Sequence, residues 1–386
     1  MTDTDRTEIV IVAARRTPQG RYLGSLANLT AADLGTAAAT AALTGIDPQT
    51  VDQVIVGNVL SAGLGMNVAR QISLRSGIAQ HVPAYSVNMM CGSGMQAVLL
   101  AAQAIRAGEA RVVLCGGTES MSNAPLLTRR DPKARPLPGE GTVDSLLRDG
   151  LTDPLSSEHM GHTAERLAER YAIDRATQDR FAVESTAKYV IARDAGRFQA
   201  ELVALPELAQ DEHPRPGVTV EKLGTLKPAF SPTGTVTPGN ASGINDGAAM
   251  LLVADAKTAA QRGWPVLARL SAWTSVGCDP ATMGLGPVHA LRKLAQQYGV
   301  RYQDCDTIEL NEAFAAQSLA CVRELQLQPE RVNQDGGAIA LGHPIGASGA
   351  RLVVHLAQRT AAGHSRRSIG ALCIGGGMGI ALALHS

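Results

Sequence analysis

Hydrophobic residues fall along this chain in short bursts separated by longer amphipathic stretches. After a polar start, Ile9-Val10-Ile11-Val12 predicts a strand over 8–13, and residues 30–43, Ala-rich and opened by Thr30, predict a capped helix. The rhythm repeats as a strand over 51–59, a helix over 66–75 and a short extended run, Ala84-Tyr85-Ser86-Val87. A nearly all-apolar helix over 91–107 and a strand over 111–117 that runs into glycines follow. This alternation predicts parallel βαβ units with helices on both faces of a sheet.

From residue 118 the character changes. Prolines and charges crowd 123–141, a stretch rich in Glu, Arg and Gln predicts helix over 163–196, and His213-Pro214-Arg215-Pro216-Gly217 and Ser231-Pro232-Thr233-Gly234 are turn clusters. Residues 118–247 therefore read as an insertion with loops and helices of its own, suited to a lid or ligand-binding role. The first pattern then returns, with strands over 247–254, 266–276 and 305–310 and helices over 287–298 and 351–359. Gly45-Ile46 leads to Asn58 much as Gly299-Val300 leads to Asn311, and Leu114-Cys115-Gly116-Gly117 parallels Leu372-Cys373-Ile374-Gly375-Gly376-Gly377. Two related α/β halves are expected: 1–117 completed by the strand at 247–254, and 255–386.

The charge balance, 35 basic against 35 acidic residues, gives no overall attraction to nucleic acid or to an acidic membrane. No apolar run approaches the length of a membrane span, and the start lacks the basic region of a signal peptide. The six cysteines (91, 115, 278, 305, 321, 373) show no zinc-ligand spacing, so no metal is expected. Only 18% of residues are charged, which points to much buried surface, some of it between subunits. A reduced, soluble, cytoplasmic protein is the expectation.

Four stretches carry candidate chemistry. Asn88-Met89-Met90-Cys91-Gly92-Ser93-Gly94 sets Cys91 between a strand and a helix, where free amides and the helix dipole favour a thiolate. An inert packing cysteine remains open at that point. Gly342-His343-Pro344 confines a histidine among small residues, where it can take a proton from a thiol or donate to an oxyanion. Cys373-Ile374-Gly375-Gly376-Gly377 reads either as core packing or as backbone amides that approach a substrate, and no phosphate-loop lysine follows. Asn311-Glu312-Ala313-Phe314, after a strand, reads locally as a helix cap.

Taken in order with His159-Met160-Gly161 and the segment 239–247, these stretches resemble the thiolase family from end to end. The resemblance implies the α/β thiolase fold: two duplicated βαβαβαββ halves in a five-layered αβαβα core, with an inserted loop domain that binds coenzyme A. It implies Cys91 as the acyl-carrying nucleophile, His343 as its activator and Cys373 as acid/base. Asn311 would hold a water that, with His343, binds an enolate oxygen, and the amides of Cys91 and Gly375 would form a second oxyanion hole. Ser242 and His159 would line the coenzyme A path, with Met160, Phe230, Met283 and Phe314 as apolar pocket walls. Coenzyme A and acetyl-CoA enter as substrates, no prosthetic group is implied, and the partner is a second copy of the chain, in a homotetramer or dimer.

His159-Met160-Gly161 and Met283-Gly284-Leu285-Gly286-Pro287 resemble the biosynthetic branch, which joins two acetyl-CoA to acetoacetyl-CoA, with degradation of longer 3-ketoacyl-CoA as the alternative. Residues 155–158 and Asn88-Met89-Met90 depart from the usual pattern of that branch. A decarboxylating condensing enzyme of the same fold would use Cys with two His, or with His and Asn, against which Cys373 argues. Residues 123–141 are a candidate tetramerisation loop.

Overall fold

The structure, a computed structural model, describes residues 7–128 and 141–386. The core strands are β1 (Ile9–Arg16), β2 (Gln53–Gly57), β3 (Ala84–Val87), β4 (Val112–Ser120), β5 (Asn245–Asp255), β6 (Ala268–Gly277), β7 (Thr307–Leu310), β8 (Arg367–Ile374) and β9 (Met378–His385). They pair in the order β3-β2-β4-β5-β1-β6-β9-β8-β7. The sheet is mixed rather than parallel: β2 runs parallel to β3 and β4, and β7 to β8, while the other neighbours are antiparallel. Gly375-Gly376-Gly377 is too short for a crossover and closes β8–β9 as a hairpin, with φ of +84° at both Gly376 and Gly377.

The duplication shows in this order. β1 and β6 pair antiparallel at the centre, Ile9 opposite Leu270 and Ile11 opposite Ala268. Outward from them lie β5-β4-β2-β3 on one side and β9-β8-β7 on the other, where the parallel bridge Ile308–Val332 takes the outermost place. Each central strand carries a register shift at the matching point, Ile11/Ala13 and Leu270/Ala272.

The register corrects two sequence pairings, Asn58 with Asn311 and Cys115 with Cys373. Val113 lies between Gln53 and Val253, as Ser368 lies between Thr307 and Leu384. Counting from that match, Cys373 corresponds to Thr118, Cys115 to Gly370 and Asn311 to Gly57. Cys115 and Cys373 are not equivalents: Cys115 packs into the central core and Cys373 into a separate cluster at the cavity described below. The glycine runs suggest an alignment three residues out, and an odd slip along a strand exchanges its faces.

Helices α1 (Ala31–Ala42) and α2 (Val68–Arg75) cover the outer face of the first half, and α3 (Ser93–Ala107) fills the middle. In the insertion lie α4 (Met160–Arg170) and α5 (Arg175–Asp194). In the second half, α6 (Gly286–Tyr298) and α7 (Ala315–Leu325) lie outside, and α8 (Ile345–Ala361) packs on α3. The result is five layers, αβαβα. The middle layer is tight because glycines permit it: a Cβ on Gly94 would lie 2.7 Å from Ala350 N, and one on Gly117 2.1 Å from Gly346 O.

β4 continues to Ser120 and β5 begins at Asn245, so residues 121–244 separate them, slightly fewer than expected. The helical stretch predicted over 163–196 is two helices, broken where Ala172 turns left-handed (φ +48°) and restarted by the Asp174 cap on Thr177 N–H. A buried charge cluster joins this region to the core. Arg16 pairs with Glu201 and Asp211, each at 2.6 Å, and His355 lies 2.9 Å from Glu201 and 3.3 Å from Asp335. Residues 129–140 of the candidate tetramerisation loop lie outside the described residues. Among those described, no helix is long and apolar enough to cross a membrane.

Candidate active site

A cavity of about 460 Å³ opens where the insertion meets the ends of the strands in both halves. Cys91, His343, Cys373 and Gly375 line it together with Ser242, His159, Met160, Phe230, Met283 and Phe314. Asn311 is the one expected residue outside the wall, and it reaches the site through His343.

Cys91 sits on a sharp turn between β3 and α3. Met90 is left-handed (φ +48°), and its N–H donates to Asn88 Oδ1 at 2.9 Å. Met89 N–H donates to Ser93 Oγ at 2.8 Å, and that hydroxyl donates to Met90 O at 2.6 Å. The N–H groups of Gly375 and of Cys91 itself face the sulfur. Burial nevertheless pushes the thiol up to about 11, with Glu119 adding to the rise. Desolvation here outweighs the amides and helix dipole that favour a thiolate. A helix N-terminus is worth about 0.3–1 kcal/mol, less than desolvation costs here.

Cys373 is the penultimate residue of β8 and is 1% exposed. Burial pushes it well above the ordinary thiol value, the Cys91 sulfur adds to the rise, and both cysteines line the cavity. His343 stands before α8, its N–H donating to Asn245 Oδ1 at 2.9 Å. Its tautomer follows from the partners. Ser348 Oγ lies 2.9 Å from Pro344 O, to which it can donate, and 2.5 Å from His343 Nδ1, an arrangement that favours the proton on Nδ1. Nε2 is then the lone-pair nitrogen, facing Asn311 Nδ2 at 3.4 Å. Burial, helped by Arg351, lowers His343 to about 4, so the ring is a neutral base near pH 7. Asn311 Oδ1 is buried with no hydrogen-bond partner among the described residues, an acceptor free for substrate or solvent.

The other wall is aromatic and apolar. His159 caps α4, its Nδ1 accepting from Gly161 N–H at 3.0 Å, and stacks on Phe230 with centroids 4.7 Å apart. Phe230 meets Phe314 edge-on at 6.3 Å. Any Cβ on Gly161 would lie 2.3 Å from the Phe230 ring, so glycine makes that packing possible. Met160, Met283, Phe314 and Cys373 belong to one buried cluster, and Ser242 is set beside it by its N–H bond to Ala313 O at 3.0 Å. Arg21, His213 and Arg215 add positive or polar groups to the lining. Among the described residues, no three His, Cys, Asp or Glu side chains form a metal-binding group.

Sequence reasoning missed Ser348, Asn245 and Glu119. Ser348 lies within the glycine-rich run after His343, where helical spacing offered a signal; Asn245 and Glu119 act across long sequence separations.

The cavity wall thus brings together two thiols and one neutral imidazole, with backbone N–H groups facing the first sulfur. The chain belongs to the thiolase family of acyltransferases: residues 9–257 match the description "Thiolase, N-terminal domain" and residues 264–386 "Thiolase, C-terminal domain". It is 47% identical to an acetyl-CoA acetyltransferase of Pseudomonas aeruginosa, over 98% of this chain and 99% of that one. It is 48% identical to the acetyl-CoA acetyltransferase of Escherichia coli strain K12, over 97% and 98%. Among solved structures, human mitochondrial 3-ketoacyl-CoA thiolase in complex with CoA superposes with a TM-score of 0.95 at 42% identity, covering 98% of both chains. The Bacillus anthracis acetyl-CoA acetyltransferase gives 0.95 at 38% identity, covering 98% and 99%.

Proposed function

We propose that the protein condenses two acetyl-CoA to acetoacetyl-CoA and coenzyme A, reversibly, through an acetyl group carried on Cys91. The observation that carries this reading is the convergence of Cys91, Cys373 and the His343 imidazole on one cavity. Nε2 takes the Cys91 proton as the sulfur attacks the thioester carbonyl, and the N–H groups of Cys91 and Gly375 hold the oxyanion. The departing coenzyme A thiolate takes its proton from Cys373, whose buried thiol is a weak acid and a correspondingly strong base once ionised. His343 is now an imidazolium with an Nε2–H donor, and it balances the Cys373 thiolate. That thiolate removes the α-proton of the second acetyl-CoA, whose enolate oxygen accepts from Nε2–H and from a water on Asn311. One such donor is worth roughly 3–4 kcal/mol. The carbanion attacks acetyl-Cys91, whose thiolate leaves and recovers its proton from His343. Holding the acetyl group on Cys91 makes the carbon–carbon step effectively intramolecular.

His159, Ser242, Phe230 and Leu151 support binding of the pantetheine arm, with Met160, Met283 and Phe314 limiting the acyl space. The departures at Asn88-Met89-Met90 and 155–158 bear on that fit: Met90 lines the cavity, whereas Leu155 is exposed. Homo-oligomerisation is supported by β3, an edge strand with β2 on one side and a partly exposed Tyr85. Free cysteines throughout the described residues agree with a cytoplasmic setting. The test is thiolysis of acetoacetyl-CoA with mass-spectrometric detection of acetyl-Cys91; no acetyl label and no turnover overturn the reading. A second reading, degradation of longer 3-ketoacyl-CoA, is supported by the likeness to the human mitochondrial thiolase. Faster turnover of long-chain than of acetoacetyl substrates would select it. Light scattering on the full chain decides between tetramer and dimer.

A further inference from the structure

Glu119 is fully buried at the end of β4, and all four groups that touch its carboxylate are N–H donors. Oε1 accepts from Asn58 Nδ2 at 2.9 Å and Leu60 N–H at 3.1 Å, and Oε2 from Val59 N–H at 3.0 Å and Gly346 N–H at 2.9 Å. The first three belong to the loop after β2. Gly346 lies in the first turn of α8, three residues beyond His343. That helix has Pro344 at its cap position and no side-chain cap of its own, so Glu119 supplies one from the other half of the molecule. The duplicated half makes the assignment specific. The register that matches Thr118 with Cys373 places Ile374 where Glu119 would fall, and Ile374 packs at the start of α3, its Cδ1 so near Gly92 that an added Cβ there would lie only 2.5 Å away. The helix start beside Cys91 is thus met by hydrocarbon, and the one beside His343 by a carboxylate.

We propose that Glu119 is a positioning residue: it fixes the first turn of α8, and through it the place of His343 Nε2 relative to Cys91. This rests on the thiolase reading of those two residues. A glutamine at 119 would set an NH₂ against two N–H donors whichever way it turned, so one link must open. An aspartate keeps the charge but shortens the reach, so it cannot hold the loop and α8 together.

The experiment compares Glu119→Gln and Glu119→Asp with the wild type in the full-length protein. It measures steady-state thiolysis of acetoacetyl-CoA, the rate of Cys91 alkylation by iodoacetamide, and the melting temperature. A kcat lowered roughly tenfold or more at nearly unchanged KM for coenzyme A, with alkylation slowed in proportion, is expected in folded variants. A folded variant with wild-type kcat and alkylation rate overturns the proposal. Failure of both variants to fold also counts against it, since the role would then be general stability. A wild type without thiolysis overturns the functional reading instead, while the alkylation rates still report on Glu119.

Discussion

The two halves of the molecule share one strand order and one central helix, yet equivalent places in them hold different chemistry. Cys91 and His343 each stand two residues before a central helix, one carrying a sulfur and the other an imidazole. Thr118 occupies the strand position that Cys373 fills in the second half, and its hydroxyl donates to Ala31 O in the core. The scaffold supplies two helix starts and two strand ends, and the side chains there have diverged: Cys91 stands against His343, and Thr118 against Cys373. A site made this way needs both halves, because Cys91 comes from the first and His343 and Cys373 from the second.

The comparison can be broken most directly at Cys91. Cys91→Ala is expected to lower acetoacetyl-CoA thiolysis by more than about 10⁴-fold, measured against the wild type. Cys373→Thr, which installs the first half's residue in the second, should lower condensation by roughly 10³-fold, while mass spectrometry still detects acetyl-Cys91. Equal loss of the acetyl label in both variants would show that the two sulfurs do not divide the work. Ser348→Ala removes the acceptor that holds the proton on Nδ1 of His343. A fall in kcat of roughly 10- to 100-fold is expected, with alkylation of Cys91 slowed as well.

Two further tests concern stability. Burial opposes a charge on His355, but Glu201 and Asp335 outweigh it and raise the group to about 9. A base whose pKa rises on folding stabilises fully below its unfolded value, about 6.5. That contribution is lost as pH climbs through about 9. The melting temperature should therefore fall between pH 7 and 10, and a His355→Gln variant should lack that part of the slope. Cys115→Ser is the smallest: about 1–3 kcal/mol of stability for a buried hydroxyl, with kcat unchanged, since Cys115 does not line the cavity. Loss of activity there would revive the equivalence with Cys373 that the register rejects.

Local signals carried a large share of this protein. Periodicity placed the first-half elements and β5, β6, β7 and α6 within a few residues, because a buried face repeats every two or every 3.6 positions whatever it packs against. However, α7, β8 and β9 were not predicted as elements, and α8 begins six residues before the expected 351. The break at Ala172 was harder to read, since Asp174 restarts the pattern almost at once. The glycine-flanked stretches around Cys91, His343 and Cys373 were legible as places where backbone comes close, and their order carried the family. Repeats were legible only as order: with so many glycines, the matching of Cys115 to Cys373 slipped by three residues, and only the hydrogen-bonded ladder corrected it.

By itself, the sequence determined the alternation of elements, the duplication and the family, because these depend on residue type and near neighbours. Tertiary structure alone decided which atoms meet and in what protonation state. Burial at the junction of the halves keeps Cys91 a thiol and His343 a neutral base, and Ser348 decides which ring nitrogen is free. Glu119 meets Gly346 across 227 residues of chain. Desolvation and hydrogen-bond geometry are properties of the surroundings in space, and those are not written within any one stretch of the chain.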